Sequence, residues 1–205
     1  VRTYSHGNIE LLAREATIPV INALTDLSHP CQILADLMTV KEIRGRLEET
    51  VIAYLGDGNN VANSLLIGCA MTGMHLRLAC PSGYDPDGDF LREGKRLAAS
   101  VGGSVQVLRD PAAACAGAHF IYTDVWTSMG QEEEAEKRRR DLKPYQLNAR
   151  RLAEAAPGAR ILHCLPAHRG EEITEEMMAH PQSAIFDQAE NRLHTQKALM
   201  EFLVK

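Results

Sequence analysis

Val51-Ile52-Ala53-Tyr54-Leu55-Gly56-Asp57-Gly58-Asn59-Asn60 is five apolar residues closed by glycines and asparagines, and a helically spaced apolar stretch runs on from Asn60 to Thr72. A short apolar run, a tight turn and a helix make one strand-turn-helix unit of an α/β domain. The unit repeats downstream. Strands are predicted at Val51–Leu55, His75–Ala79, Val105–Leu108, His119–Thr123, Arg160–His163 and around Ala184–Phe186. Helices are predicted between and after them at Asn60–Thr72, Gly88–Ser100, Pro111–Ala116, Gln131–Arg140, Asn148–Ala156, Thr174–Ala179 and Asn191–Leu203. This alternation implies an α/β fold, a doubly wound parallel sheet with helices on both faces. Upstream, a helix over Asn8–Ala16 stopped by Pro19 and a short strand Val20–Ala23 read as a partial βαβ remnant of a second, similar domain. A longer helix from Pro30 to Arg44, ended by Gly45, connects the two.

The chain has 205 residues, is 45% hydrophobic and carries a net charge of -5. That is enough to bury a substantial core, and the acidic balance argues against a nucleic-acid surface, which needs a basic face. Five cysteines without a CxxC pair read as reduced thiols of a cytoplasmic protein. No apolar run has the length of a membrane span, and the first residues lack the pattern of a signal peptide. Val1-Arg2-Thr3 looks like the end of a strand with nothing before it to pair with, so the sequence is expected to be a piece of a longer protein.

Ligands of such sheets collect beyond the carboxyl ends of the strands. Those ends are Gly56–Asn60, Pro81–Tyr84, Asp124–Gly130 and Cys164–Arg169. The Gly56–Asn60 turn has the setting of a dinucleotide fingerprint, but Val61 replaces the third glycine and no acidic residue closes the next strand, which argues against NAD. The turn suits a small anion at a helix N-terminus, or is a plain turn with an asparagine cap. His29 precedes Pro30, and its imidazole and the Gln32 carboxamide can share one site at the positive end of a helix, fit for polarising a carbonyl; the alternative is a neighbour of a helix cap. Cys164 ends a strand with His163 directed to the opposite face, which disfavours covalent thiol catalysis, and the spacing of His163, Cys164 and His168 does not suit zinc. Arg192 is placed at the opening of the last helix and, like Arg2, reads either as bidentate recognition of an oxyanion or as surface charge. The run Lys137–Arg140, after the acidic Glu132–Glu136, reads as a solvated helix laced with ion pairs.

His29-Pro30-Cys31-Gln32, Gly56–Asn60, Asp124-Val125-Trp126-Thr127-Ser128-Met129-Gly130, His163-Cys164-Leu165-Pro166 and Glu190-Asn191-Arg192 together resemble the ornithine carbamoyltransferases, in that family's order. The resemblance implies transfer of the carbamoyl group of carbamoyl phosphate to the δ-amine of L-ornithine, giving citrulline and phosphate in arginine metabolism, with no metal or organic cofactor. It implies that Arg2, His29, Pro30, Cys31, Gln32, Cys164, Leu165 and Arg192 bind carbamoyl phosphate, with His29, Arg2, Cys164 and Arg192 as the catalytic set. Asn60 would hold the α-carboxylate of ornithine and Asp124 its α-amine, while Ser128 and Met129 complete that pocket in a mobile loop hinged at Gly130. Residues 1–30 would be the end of the carbamoyl phosphate domain, 31–188 the ornithine-binding domain and 189–205 a helix returning to the first. A homotrimer is also implied. The family's phosphate-binding Ser-Thr-Arg-Thr motif is absent from these 205 residues, so the chain alone is expected to have little or no transferase activity. Competing readings are a putrescine or N-acetylornithine carbamoyltransferase and a non-catalytic amino-acid-binding module.

Overall fold

A computed structural model describes residues 1–128 and 130–204 of the chain. Its centre is a five-stranded parallel sheet in the order β3-β2-β1-β4-β5, with β1 at Val51–Leu55, β2 at His75–Ala79, β3 at Ser104–Leu108, β4 at Phe120–Thr123 and β5 at Arg160–His163. The strand order reverses between β1 and β4, so the crevice beyond their carboxyl ends is the natural ligand site of this sheet.

Helices cover both faces, as expected. The pleat sends Ile52, Tyr54, Leu76, Leu78, Phe120, Tyr122 and Leu162 into one core, under α2 (Pro30–Arg44), α3 (Asn60–Met71) and α4 (Gly88–Val101). Ala53, Leu55, Ala79, Ile121 and Ile161 face a second core with α5 (Pro111–Cys115), α7 (Ala149–Glu154) and α8 (Glu175–Met178). A one-residue slip of any strand would exchange these sets, so burial on both sides fixes the register. Of the remaining helices, α1 spans His6–Glu15, α6 Ala135–Leu142 and α9 Ile185–Val204.

Local chemistry explains where the helices start. Asn59, Asp87, Asp110, Asn148 and Thr174 each accept a backbone N–H from the first turn of the helix that follows, and Pro30 and Pro111 occupy first-turn positions where no donor is needed. At the β1–α3 turn Gly58 has no alternative: a Cβ there would lie 2.2 Å from the backbone nitrogen of Pro86.

Two expected strands do not form. Around Val20–Ala23 the chain makes only the isolated parallel bridge Arg2–Leu24, helped by Ala23 N–H to Val1 O and Thr3 N–H to Leu24 O, so the N-terminal βαβ unit is reduced to α1 and that bridge. At Ala184–Phe186 the sheet gains only the bridge between Ile161 and Ser183, because the chain turns at once into α9 with Ile185 buried in the second core. The apolar residues read as a strand are therefore the first turn of a helix six residues longer at its start than predicted. Arg192 consequently sits in the second turn of α9, not at its opening, and the boundary expected between residues 188 and 189 falls inside one continuous helix. Among the described residues no helix is long and apolar enough to cross a membrane.

Candidate functional site

One wall of the crevice is built by α2 and α9. His29 precedes the first turn of α2 and is buried, with its backbone N–H donated to Ser64 Oγ at 2.7 Å and its Nδ1 left without a partner. Burial, then the charges of Arg192 and Arg2, push its pKa down to about 3. The imidazole is therefore neutral at physiological pH, with one N–H to donate and one lone pair. One helical turn on, Gln32 Nε2 donates to Asp36 Oδ1 at 2.8 Å while Gln32 Oε1 accepts from Arg192 NH1 at 2.5 Å, which brings together residues 160 positions apart. Arg192 Nε is also buried without a partner. Arg192 Nε is a donor, and His29 Nδ1 a donor or an acceptor according to the tautomer, so both are buried positions that a bound polar group could satisfy. Pro30 is exposed at the first position of α2, and Cys31 is turned away from Gln32, its thiol donating to Asn22 O. Arg2 is exposed; its backbone bridges Leu24 and its charge reaches His29.

The facing wall is built from the turns after β1, β4 and β5. Asp124 is buried at the end of β4; its Oδ2 accepts from Asn59 Nδ2 at 2.6 Å, and its Oδ1 accepts from Val125 N–H at 2.8 Å and the Cys164 thiol at 2.9 Å. Burial and the neighbouring carboxylate push that thiol well above its ordinary pKa, so it stays protonated and donates to Asp124. His163 faces away, as the strand alternation requires: its Nδ1 accepts from Leu165 N–H, which leaves Nε2 to donate to the buried Glu172. Leu165 holds a left-handed φ of 57° before a cis peptide to Pro166. Asp124, His163 and Cys164 could bring ligand atoms within 4.8 Å of one another, but both His163 nitrogens are already committed to protein partners, so the trio does not suit a metal ion.

The residues expected for the second substrate are only partly gathered. Asn60 does not point at Asp124; its carboxamide donates to Thr25 O at 2.6 Å and ties α3 to the N-terminal segment. Its neighbour Asn59 holds the position beside Asp124 and caps α3 with its Oδ1. Ser128 donates its N–H to Gln131 Oε1, and Gly130 lies against the Tyr4 ring; Met129 lies outside the described residues. The Lys137–Arg140 run departs from its reading as a solvated face at one position. Arg138 is buried, pairs with Asp57 in the β1–α3 turn, donates from Nε to Trp126 O at 2.5 Å and stacks over the Tyr84 ring, while Lys137, Arg139 and Arg140 make the expected surface pairs.

Residues 48–203 match the Asp/Orn binding domain of aspartate/ornithine carbamoyltransferase, and residues 1–42 match the carbamoyl-P binding domain of the same family. The chain belongs to the aspartate/ornithine carbamoyltransferase family. An ornithine carbamoyltransferase of Synechocystis is 53% identical over 204 residues, taking in 100% of this chain and 66% of the relative; that of Gloeobacter violaceus is 54% identical, with 65% of its length covered. The ornithine carbamoyltransferase structure from Pyrococcus furiosus superposes with a TM-score of 0.94 at 50% identity, over 97% of this chain and 64% of that one. An N-acetyl-L-ornithine transcarbamylase structure aligns more distantly, at 32% identity and a TM-score of 0.83 over 96% of this chain and 62% of that one. The chain thus spans about two thirds of the length of its relatives in the family.

Several polar residues of the crevice were not singled out from the sequence. Asn59 and Asn60 are adjacent, and only the capping geometry decides which faces Asp124. Asp36 had a usable signal, standing one helical turn after Gln32 on the same helix face. Gln188, Tyr122 and Arg138 had none, because each meets its partners across the sheet or across the chain.

Proposed function

We propose that the protein is an ornithine carbamoyltransferase that moves the carbamoyl group of carbamoyl phosphate to the δ-amine of L-ornithine, giving L-citrulline and phosphate. The observation that carries this reading is a pair of chemically distinct polar clusters joined through Tyr122, which bonds to both Asp36 and Cys164: neutral His29 with Gln32 and Arg192 in one, and the Asp124 carboxylate bonded to Cys164 in the other. A carbamoyl carbonyl placed between them would accept from His29 and Arg192, which polarises it and stabilises the oxyanion formed on attack. A neutral His29 donates one hydrogen bond without adding a third positive charge beside Arg2 and Arg192. The Asp124 carboxylate suits an α-ammonium, holding the acceptor so that its deprotonated δ-amine reaches the carbonyl carbon; the C–N bond forms, the C–O bond to phosphate breaks, and the amine's remaining surplus proton leaves to solvent or phosphate.

The same carboxylate favours ornithine over N-acetylornithine, whose α-nitrogen is an uncharged amide, and over putrescine, which has no α-substituents. Neither wall calls for a metal or organic cofactor. The reading includes a carbamoyl phosphate part, expected at 1–30, followed by an ornithine part, expected at 31–188 with a returning helix at 189–205; the order of the two family matches, at 1–42 and 48–203, supports that succession. It also includes a homotrimer, a cytoplasmic location and a place in arginine biosynthesis. The Ser-Thr-Arg-Thr phosphate cradle does not occur in these residues. The 205-residue chain is therefore expected to form little or no citrulline by itself.

Assaying the full-length gene product with carbamoyl phosphate and each of ornithine, putrescine and N-acetylornithine tests the assignment. Citrulline formation with ornithine as the preferred acceptor is expected; preference for either other amine replaces the reading with the corresponding carbamoyltransferase. Binding of ornithine without any carbamoyl transfer would replace it with a non-catalytic module.

A further inference from the structure

Asp36 is a carboxylate in a place where carboxylates are costly: it is 1% exposed, on the face of α2 that packs against the sheet and α9. Three donors converge on it. Gln32 Nε2 and Gln188 Nε2 reach Oδ1 at 2.8 and 2.6 Å, and the Tyr122 hydroxyl reaches Oδ2 at 3.1 Å. An ionised carboxylate only accepts, so both carboxamides must turn their NH2 groups towards it. Their oxygens then face outward. Gln32 Oε1 meets Arg192 NH1 at 2.5 Å, and Gln188 Oε1 meets His163 N–H at 2.9 Å, one residue before Cys164. With either amide reversed, Gln32 would present NH2 to a guanidinium, or Gln188 would present NH2 to a backbone N–H, donor against donor.

We propose that Asp36 is a positioning residue for the donor wall: by accepting from Gln32 and Gln188 it fixes the orientation of both carboxamides, and through Gln32 it sets the place of the Arg192 guanidinium. The inference rests on the carbamoyl transfer reading above. Its consequence is selective. Asp36 controls which Gln32 and Arg192 hydrogens remain free for a carbamoyl oxygen; on the opposite wall the Asp124–Asn59 bond forms without it, and Asp36 reaches that wall only indirectly, through Tyr122 to Cys164 and through Gln188 to the His163 N–H.

The test is steady-state kinetics on the full-length gene product and its Asp36→Asn variant, varying carbamoyl phosphate and ornithine separately. Asparagine keeps the shape and one acceptor oxygen but removes the negative charge on which both carboxamides converge, and puts an NH2 group opposite the Tyr122 hydroxyl. The expected result is a rise on the order of tenfold or more in the KM for carbamoyl phosphate, the loss associated with one charge-assisted hydrogen bond, with the KM for ornithine at saturating donor within about twofold. Tyr122→Phe, which removes one hydroxyl and keeps the ring, is expected to raise the donor KM by a few fold and guards against a variant that fails to fold. A folded Asp36→Asn enzyme with the wild-type donor KM overturns the inference. So does an equal rise in both KM values, or, should that variant not fold, an unchanged donor KM in Tyr122→Phe. A wild-type protein that forms no citrulline removes the transferase reading and this inference with it, whereas an active wild type with unaffected variants removes the inference alone.

Discussion

The two walls of the crevice are held by different means. The donor wall is two long helices, α2 and α9, whose polar groups meet in a buried network around Asp36, so its geometry is set by secondary structure that the core already fixes. The acceptor wall is made of turns after strands, and turns have no register of their own. Its order comes from side chains that staple one turn to another: Asn59 to Asp124, Cys164 to Asp124, and Arg138 to both Asp57 and Trp126. On the carbamoyl transfer proposed above, a helix-held donor wall beside a turn-built acceptor wall would suit a site that closes over its second substrate.

The sharpest way to break this contrast is Arg138→Leu. It leaves Asp57 buried and unpaired, and removing one partner of a buried pair typically costs about 3–5 kcal/mol. The urea midpoint should fall accordingly, and ornithine binding should weaken more than carbamoyl phosphate binding; equal effects on both would show that Arg138 does not serve one wall.

The donor wall is next, through pH. The folded pKa of His29, about 3, lies below its ordinary 6.5. As pH falls, the unfolded chain therefore takes up that proton first, and the stability this group contributes is present above 6.5 and drains away towards 3. Between pH 6.5 and 5, wild type should lose roughly 1.6 kcal/mol more than His29→Asn, the slope rising to about 1.36 kcal/mol per pH unit as the unfolded imidazole becomes fully protonated. Asp36, raised by burial to about 6, acts in the opposite sense, favouring the fold as pH falls, but does so in both proteins and drops out of the difference. Parallel curves of urea midpoint against pH for the two proteins would mean that His29 titrates normally in the fold.

Asn59→Ala should cost about 1 kcal/mol of stability through the lost cap of α3, and should weaken ornithine binding by freeing Asp124 Oδ2. Asn60→Ala should affect the docking of the N-terminal segment instead, which isothermal titration with ornithine and limited proteolysis would separate. The smallest effect is expected from Arg139→Ala, next in sequence to Arg138. Its pair with Glu171 is half-exposed, so stability should change by less than about 0.5 kcal/mol with both KM values unaltered. A large effect at Arg139 would erase the distinction between a staple and a surface pair.

Much of this was legible in the chain itself. The alternation of apolar runs with helical spacing gave the parallel sheet, because a strand buried on both faces must be continuously apolar and a covering helix must not be. Proline and glycine marked the ends of α2, and His163 and Cys164, though adjacent in sequence, take different partners, Glu172 and Asp124. The failures have two causes: at Ala184–Phe186 the edge of β5 is available, but the chain turns into α9 after one bridge, and at Val20–Ala23 pairing stops at the isolated bridge beside Arg2. Both segments are apolar enough for strands, yet a strand exists only where hydrogen bonds to a neighbour run along several residues.

At the site, sequence determined which residue types are present, their order, and the local motifs that start each helix. Only the tertiary structure decided that Asn59 rather than Asn60 faces Asp124, that one arginine of a charged run is buried, and that Gln32 meets Arg192 across 160 positions. A cap or a turn depends on neighbours a few residues away and is written in the chain. The protonation of His29, the orientation of an amide and the burial of a charge depend on groups that only folding brings within hydrogen-bonding distance.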